Sequence, residues 1–325
     1  MKGLKRNVIK ILVALVIYAA ILAIGVSLLL HIAGLNDGLS GNKKSNISVV
    51  ATTFPGYDFA RAIVGTDNAK MLLKPGGEAH TYEPTPADIR AIQESDLFIY
   101  TGGDSDAWVE NLLKTIDRKK TTIVKLMDLV KTKDEETVEG MENNDESSEP
   151  EADEHVWTSP KNAITIMQKL NAIVDKIDKS GKSKYDQNAS KYEKEIAKTD
   201  EEFRKIVDSG KRREIVVGDR FPLRYFTDEY GLKYYAAFPG CSEQTEASSE
   251  TIAFLTRKVK EDKIPVVLKM ELSKGNIAET IADETGSKVL EFNSAHNISQ
   301  KDFDAGVTYV NIMKRNENIM REALN

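Results

Sequence analysis

Only four histidines occur in this chain of 325 residues, and their positions are informative. His80, His155 and His296 each fall in a loop that follows a predicted strand or opens a predicted helix. A neutral imidazole is a common ligand for zinc and other borderline metals. A single histidine is more often a satisfied core or surface residue, but three of three at strand ends point to one shared metal site. The fourth, His31, ends an apolar N-terminal run and is expected to be interfacial. The single cysteine excludes an intrachain disulfide framework. No HExxH, GxSxG, P-loop or GxGxxG stands in the chain, which leaves a zinc hydrolase or nucleotide enzyme without its usual sequence basis. Trp108 and Trp157 are expected to pack in a core or between lobes.

Bringing such distant loops together requires a particular scaffold. Short apolar runs read as strands: ISVVATT, AKMLLKP, DLFIYTG and TTIVKLMD, and later REIVVGD, LKYYAAF, IPVVLKM and SKVLEFN. Helical patterns separate them, including Tyr57 to Val64, Pro86 to Gln93, Ala107 to Ile116 and the closing Phe303 to Leu324. This rhythm predicts parallel sheets with helices on both faces. From Pro160 to Ser209 no strand-like run occurs and apolar residues recur at helical spacing, with Gly181 a candidate interruption. The expected fold is α/β, two doubly wound lobes linked by a long backbone helix, with the metal site in the cleft between them. The lobes are expected at 46–165 and 211–325, with the connector at 166–210. In such sheets ligands lie beyond the C-terminal strand ends.

The ends and charges of the chain add context. Ile11 to Leu30 is an uncharged run of twenty residues preceded by Lys2, Lys5, Arg6 and Lys10. About 30 Å of helix would span a bilayer core, and the flanking charges predict an inside N-terminus. The run is longer than the usual apolar region of a cleaved signal peptide, the competing reading, so residues 1–45 are expected to be an uncleaved signal-anchor and tether. The tether, Asn36 to Ser45, reaches only roughly 15–20 Å as a coil, which keeps the body at the outer membrane face. Asp134 to Glu154 contains eleven acidic residues and no Lys or Arg. Without it the net charge of −6 would become +5, so the acidic balance belongs to one segment. Its composition predicts a solvated, disordered loop, or a weak collector of divalent cations beside a metal site. The acidic balance argues against a general nucleic-acid binder.

Around the histidines the sequence resembles the zinc/manganese solute-binding proteins of ABC importers, those like ZnuA and AdcA. KPGGEAHTYEPTPADIRAIQESDLFIYTGG resembles that family's first ligand motif, with His80 in the ligand position. EHVWTSPKNA resembles the second, with His155 as ligand and an acidic loop before it. AGVTYVNIMKRNENIMREAL resembles the C-terminal helix. The two C-lobe positions depart from the pattern. VVGDRFPLRYF carries Gly218 where a His or Glu is usual, with Asp219 beside it. FNSAH carries Asn293 where an Asp is usual. Replacement ligands are sought among His296, Cys241 and Glu271, with Asp219 as an alternative. Each has a plainer reading: Asp219 as a helix cap, Cys241 as a buried apolar residue, Glu271 as the partner of a Lys. Glu78 is expected to hydrogen-bond a ligand ring from behind, or to be a surface acid.

The resemblance implies a monomer that captures a divalent ion between two lobes and delivers it to an ABC permease, without catalysis. Imidazole and thiolate donors favour zinc, Zn2+, over manganese, Mn2+, unless Glu271 and Asp219 complete the site. A manganese-specific binder and an extracellular adhesion module with a structural metal are the alternatives.

Overall fold

Alternation of side chains along short strands, eight among the described residues, builds the scaffold. A computed structural model describes residues 18, 47–141, 151–240 and 246–325. In it β1 (Val49–Ala51), β2 (Ala69–Met71), β3 (Leu97–Tyr100) and β4 (Thr122–Lys125) form a parallel sheet in the order β2-β1-β3-β4. The strands β5 (Glu214–Phe221), β6 (Lys233–Pro239), β7 (Val266–Met270) and β8 (Lys288–Phe292) repeat the arrangement as β6-β5-β7-β8. Val49, Ala51, Leu97 and Ile99 enter one core, whereas Val50, Phe98 and Tyr100 enter another on the opposite face. Ile215, Val217 and Leu268 join the first core, and Val216 and Val267 join a third. A period of two thus divides each strand between two layers. One inner core is shared by both sheets.

The helices are α1 (Phe54–Val64), α2 (Pro86–Glu94), α3 (Val109–Leu112), α4 (Pro160–Ile177), α5 (Lys182–Ser209), α6 (Arg224–Tyr230), α7 (Ser249–Glu261), α8 (Asn276–Thr285), α9 (Gln300–Asp304) and α10 (Tyr309–Ala323). The segment between the sheets is a hairpin of two helices, and the chain reverses at Gly181. Asn171 bonds Asp186 at 2.7 Å and Gln168 bonds Glu193 at 3.3 Å across it, an antiparallel pairing. A side chain at Gly181 would strike the Tyr185 ring at 2.3 Å, so glycine permits the tight reversal. The helix expected over Ala107 to Ile116 shortens to α3. Just before it, the buried Asp106 carboxylate accepts the N–H groups of Thr101 and Gly102, holding a tight turn over Asp104–Asp106.

The expected anchor and tether, His31 included, lie outside the described residues apart from Tyr18, which is helical and exposed. Among the described residues no helix is long and apolar enough to cross a membrane. The middle of the acidic segment, 142–150, also lies outside them. Its flanks are ordered, unlike the solvated loop expected: Glu135 N–H bonds Glu151 O, and Asp153 N–H bonds Lys133 O, both at 2.8 Å. This ladder carries Asp153 and Glu154 into the interior, where each is buried.

Candidate metal centre

Each imidazole is held by its own loop. His80 lies between β2 and α2, after a Pro-Gly-Gly turn. That turn is tied across to the second half of the chain: Gly76 N–H bonds Ile298 O at 2.8 Å, and the Asn297 amide donates to Lys74 O and Gly77 O. Beyond His80, Thr85 and Asp88 form a capping box that starts α2. His155 precedes a 3-10 turn, Val156–Thr158, which leads into the Ser159-capped α4. Asp153 Oδ1 accepts the His155 N–H at 2.7 Å and lies 3.1 Å from the ring Nδ1. The ring nitrogen Nε2 is thereby the one left for the site.

His296 follows β8 on a strained loop, since the buried neighbour Ala295 has φ +61°. Glu271, just past β7, holds that loop in place. Its carboxylate accepts Ser294 N–H at 2.8 Å, Ser294 Oγ–H at 2.5 Å and His296 N–H at 3.3 Å. Trp157 packs against both rings, 5.6 Å from His155 and 5.3 Å from His296, and its indole N–H donates to Ser294 O at 2.8 Å.

These loops converge. His80, Glu154, His155 and His296 each offer a donor atom, all within 4.8 Å of one another. The His296 ring stands nearly perpendicular to those of His155 and His80, at centroid distances of 5.0 and 5.7 Å. Glu154 Oε1 lies 3.7 Å from His296 Nε2. That is too long for a hydrogen bond but close to the roughly 3.4 Å separating two ligands of a tetrahedral zinc. Two buried nitrogens, His80 Nδ1 and His296 Nε2, have no hydrogen-bond partner. Buried polar atoms are rarely left so, and a metal ion would satisfy a lone pair here. The cavity they border measures about 50 Å3. That admits an ion with a water or two and no organic solute of ordinary size.

Electrostatics sort the four groups. Burial, with the charges of His155 and Arg220 and against the pull of Glu78, lowers the His80 pKa to about 4. Burial, His155, His80 and Arg220 hold His296 well below the usual range. Both rings are therefore neutral at pH 7 and ready to bind metal. For His155 burial acts downward, but Asp153, Glu154 and Glu135 together outweigh it and raise the pKa. Burial raises the Glu154 pKa to about 7 despite His155 and the Ser105 hydrogen bonds, with Asp106 adding to the rise.

A match to the family described as zinc-uptake complex component A, periplasmic, spans residues 49–323. The chain belongs to this family. It is 30% identical over 291 residues to the high-affinity zinc uptake system protein ZnuA of Bacillus subtilis, covering 88% of this chain and 90% of that protein. It is 29% identical over 279 residues to the zinc-binding lipoprotein AdcA of Streptococcus pneumoniae, covering 85% of this chain but only 55% of that longer protein. The Zn(II)-bound ZnuA-like domain of AdcA superposes with a TM-score of 0.70 at 27% identity, over 86% of this chain and 98% of the domain.

Against this family's frame the residues sought for the two departing positions take other places. Asn293 stays in its loop, where its Oδ1 accepts Ala295 N–H and Asn316 bonds its backbone. Gly218 lies under α8, where a Cβ would meet Ala278 at 2.6 Å, and faces no donor. Asp219 is neither in the donor group nor a helix cap. It lies within β5 and accepts the N–H groups of Arg220 and Met270 at 2.9 and 3.3 Å. Glu271 lines the cavity but lies outside the donor group, and its oxygens brace the His296 loop. Glu78 reaches backbone rather than the His80 ring, accepting Ala79 N–H at 3.1 Å, and pairs with Arg220. Cys241 lies outside the described residues. Glu154 is the donor that sequence reasoning missed. It sits last in an acidic run, and only its place directly before His155 sets it apart.

Proposed function

We propose that this protein captures zinc outside the cytoplasm and delivers it to an ABC permease, with His80, Glu154, His155 and His296 as the ligands. The grouping of those four donors within 4.8 Å of one another, with the three histidines lining a small cavity, carries the reading. Three imidazoles and one carboxylate suit tetrahedral zinc. Manganese favours more oxygen donors in an octahedral arrangement. The names of ZnuA and AdcA, a zinc uptake protein and a zinc-binding lipoprotein, support the same ion.

Three donors come from the first half of the chain and one, His296, from the second. Separating the lobes, 46–165 and 211–325, about the 166–210 connector would therefore strip one ligand and weaken the hold. Four protein donors leave no open position for an activated water, which favours capture and release over catalysis. The protein acts as a monomer, tethered by a signal-anchor over residues 11–30.

A competitive titration of the purified full chain against a chelator of known affinity tests this. The expected result is one tightly held zinc per chain, with manganese at least about 100-fold weaker. Absence of tight metal binding would overturn the reading, and equal manganese binding would overturn its choice of ion.

A further inference from the structure

A permanent cation is an odd neighbour for a zinc site, yet Arg220 lines the same cavity as His80, His155 and His296. It stands near the end of β5 in the second sheet. Its guanidinium Nη2 lies 3.1 Å from Oε2 of Glu78, which belongs to the first half and precedes His80 by two residues. The other Glu78 oxygen accepts the Ala79 N–H at 3.1 Å, so the carboxylate is fixed to the loop that carries His80. The ion pair thus crosses the cleft beside the metal donors. Both side chains are partly exposed, at 27% and 46%, so it lies toward the mouth.

We propose that Arg220 promotes release of the ion when the cleft opens, and that Glu78 masks its charge while the cleft is shut. The inference rests on the zinc-capture reading above. Guanidinium keeps its charge at any physiological pH, and a like charge near a dication repels it more strongly as water is excluded. With Glu78 in contact, the pair is close to neutral as seen from the ion. Moving the His80 loop away from β5 would part Glu78 from Arg220 in the same motion that parts His80 from His296. Coordination would then be lost as repulsion is unmasked.

A double-mutant cycle on the full chain, read by competitive zinc titration and by the rate of zinc loss to excess chelator, tests the assignment. Glu78→Gln is expected to weaken zinc by about tenfold and speed its loss, because the bare cation faces the ion. Arg220→Gln is expected to slow zinc loss and to bind at least as tightly as the parent. The double variant is expected to return within about threefold of the parent affinity. Arg220→Lys, which keeps the charge, is expected to release zinc faster than Arg220→Gln. If Arg220→Gln weakens zinc as much as Glu78→Gln, and the double variant is no better than either, the pair is a plain strut and the proposal fails. If the parent holds no tight zinc, the capture reading itself fails.

Discussion

Ser105 holds the Glu154 carboxylate at both oxygens, Oγ–H to Oε1 at 2.6 Å and backbone N–H to Oε2 at 3.1 Å. The carboxylate can lie so deep because the neighbouring residue is Gly103, where φ is +73° and a Cβ would come within 2.4 Å of Oε2. Gly103→Ala is accordingly expected to destabilise the fold by more than about 1 kcal/mol and to push Glu154 off the donor group. Melting curves and zinc titration of the variant measure the two effects. Unchanged zinc affinity in a folded variant would remove Glu154 from the ligand set.

Asp153 sets the orientation of the His155 ring by accepting from its backbone N–H and its ring Nδ1. Asp153→Asn should lower zinc affinity by about 10- to 100-fold, since the ring loses the partner that fixes its tautomer. The fold should persist, as judged by circular dichroism. An unchanged affinity would mean that Asp153 only shapes the turn.

Glu271 separates a positioning role from a ligating one. Because it lies outside the donor group and its oxygens brace the Ser294–His296 loop, Glu271→Gln should reduce zinc affinity only about tenfold, by loosening that loop. The zinc-to-manganese preference should stay the same. Near-complete loss of zinc, as expected for His155→Ala, would instead make Glu271 a ligand.

Metal binding should release protons in a defined window. His80 and His296 are held unprotonated, so they contribute little near neutrality. Glu154, with a pKa of about 7, and His155, raised above its ordinary 6.5, must both lose protons to bind. Zinc affinity should therefore fall as pH drops through about 7, with close to two protons released per zinc at lower pH. Calorimetry in buffers of different ionisation enthalpy counts them. Release that follows a pKa near 4 would contradict this order.

Acid should also weaken the metal-free fold. The folded-state pKa of His80 lies below its ordinary 6.5, at about 4, and that of His296 is also lowered, so both resist protonation in the folded chain and accept it when unfolded. Their contribution to stability is complete above about 6.5 and is lost as pH falls toward 4. Melting temperatures of the metal-free protein should drop over that range, and His296→Gln should flatten the fall. A variant that melts with the parent's pH profile would show that His296 burial is not the cause.

Strand positions, most helix positions and the break at Gly181 were legible in the sequence because they rest on local patterns, whereas the helix expected over Phe303 to Leu324 divides into α9 and α10. Short runs of consecutive apolar residues mark β1, β3, β5 and β7 as strands buried on both faces, whatever lies far along the chain. The three histidines were legible too, as rare residues at strand ends. Their completion was not, because a donor set is a meeting of loops separated by up to 216 residues, from His80 to His296. Glu154 reads as one more acid in a solvated run until the Lys133–Asp153 ladder and Gly103 bury it. Glu271 reads as a candidate ligand and Asp219 as an alternative, and only the folded loops show their oxygens turned onto backbone N–H groups of Ser294, Arg220 and Met270. Composition and periodicity determined the layers of this protein. Which carboxylate meets the imidazoles was decided only by tertiary packing, because contacts distant in sequence decide which loop carries its carboxylate within reach of the three rings.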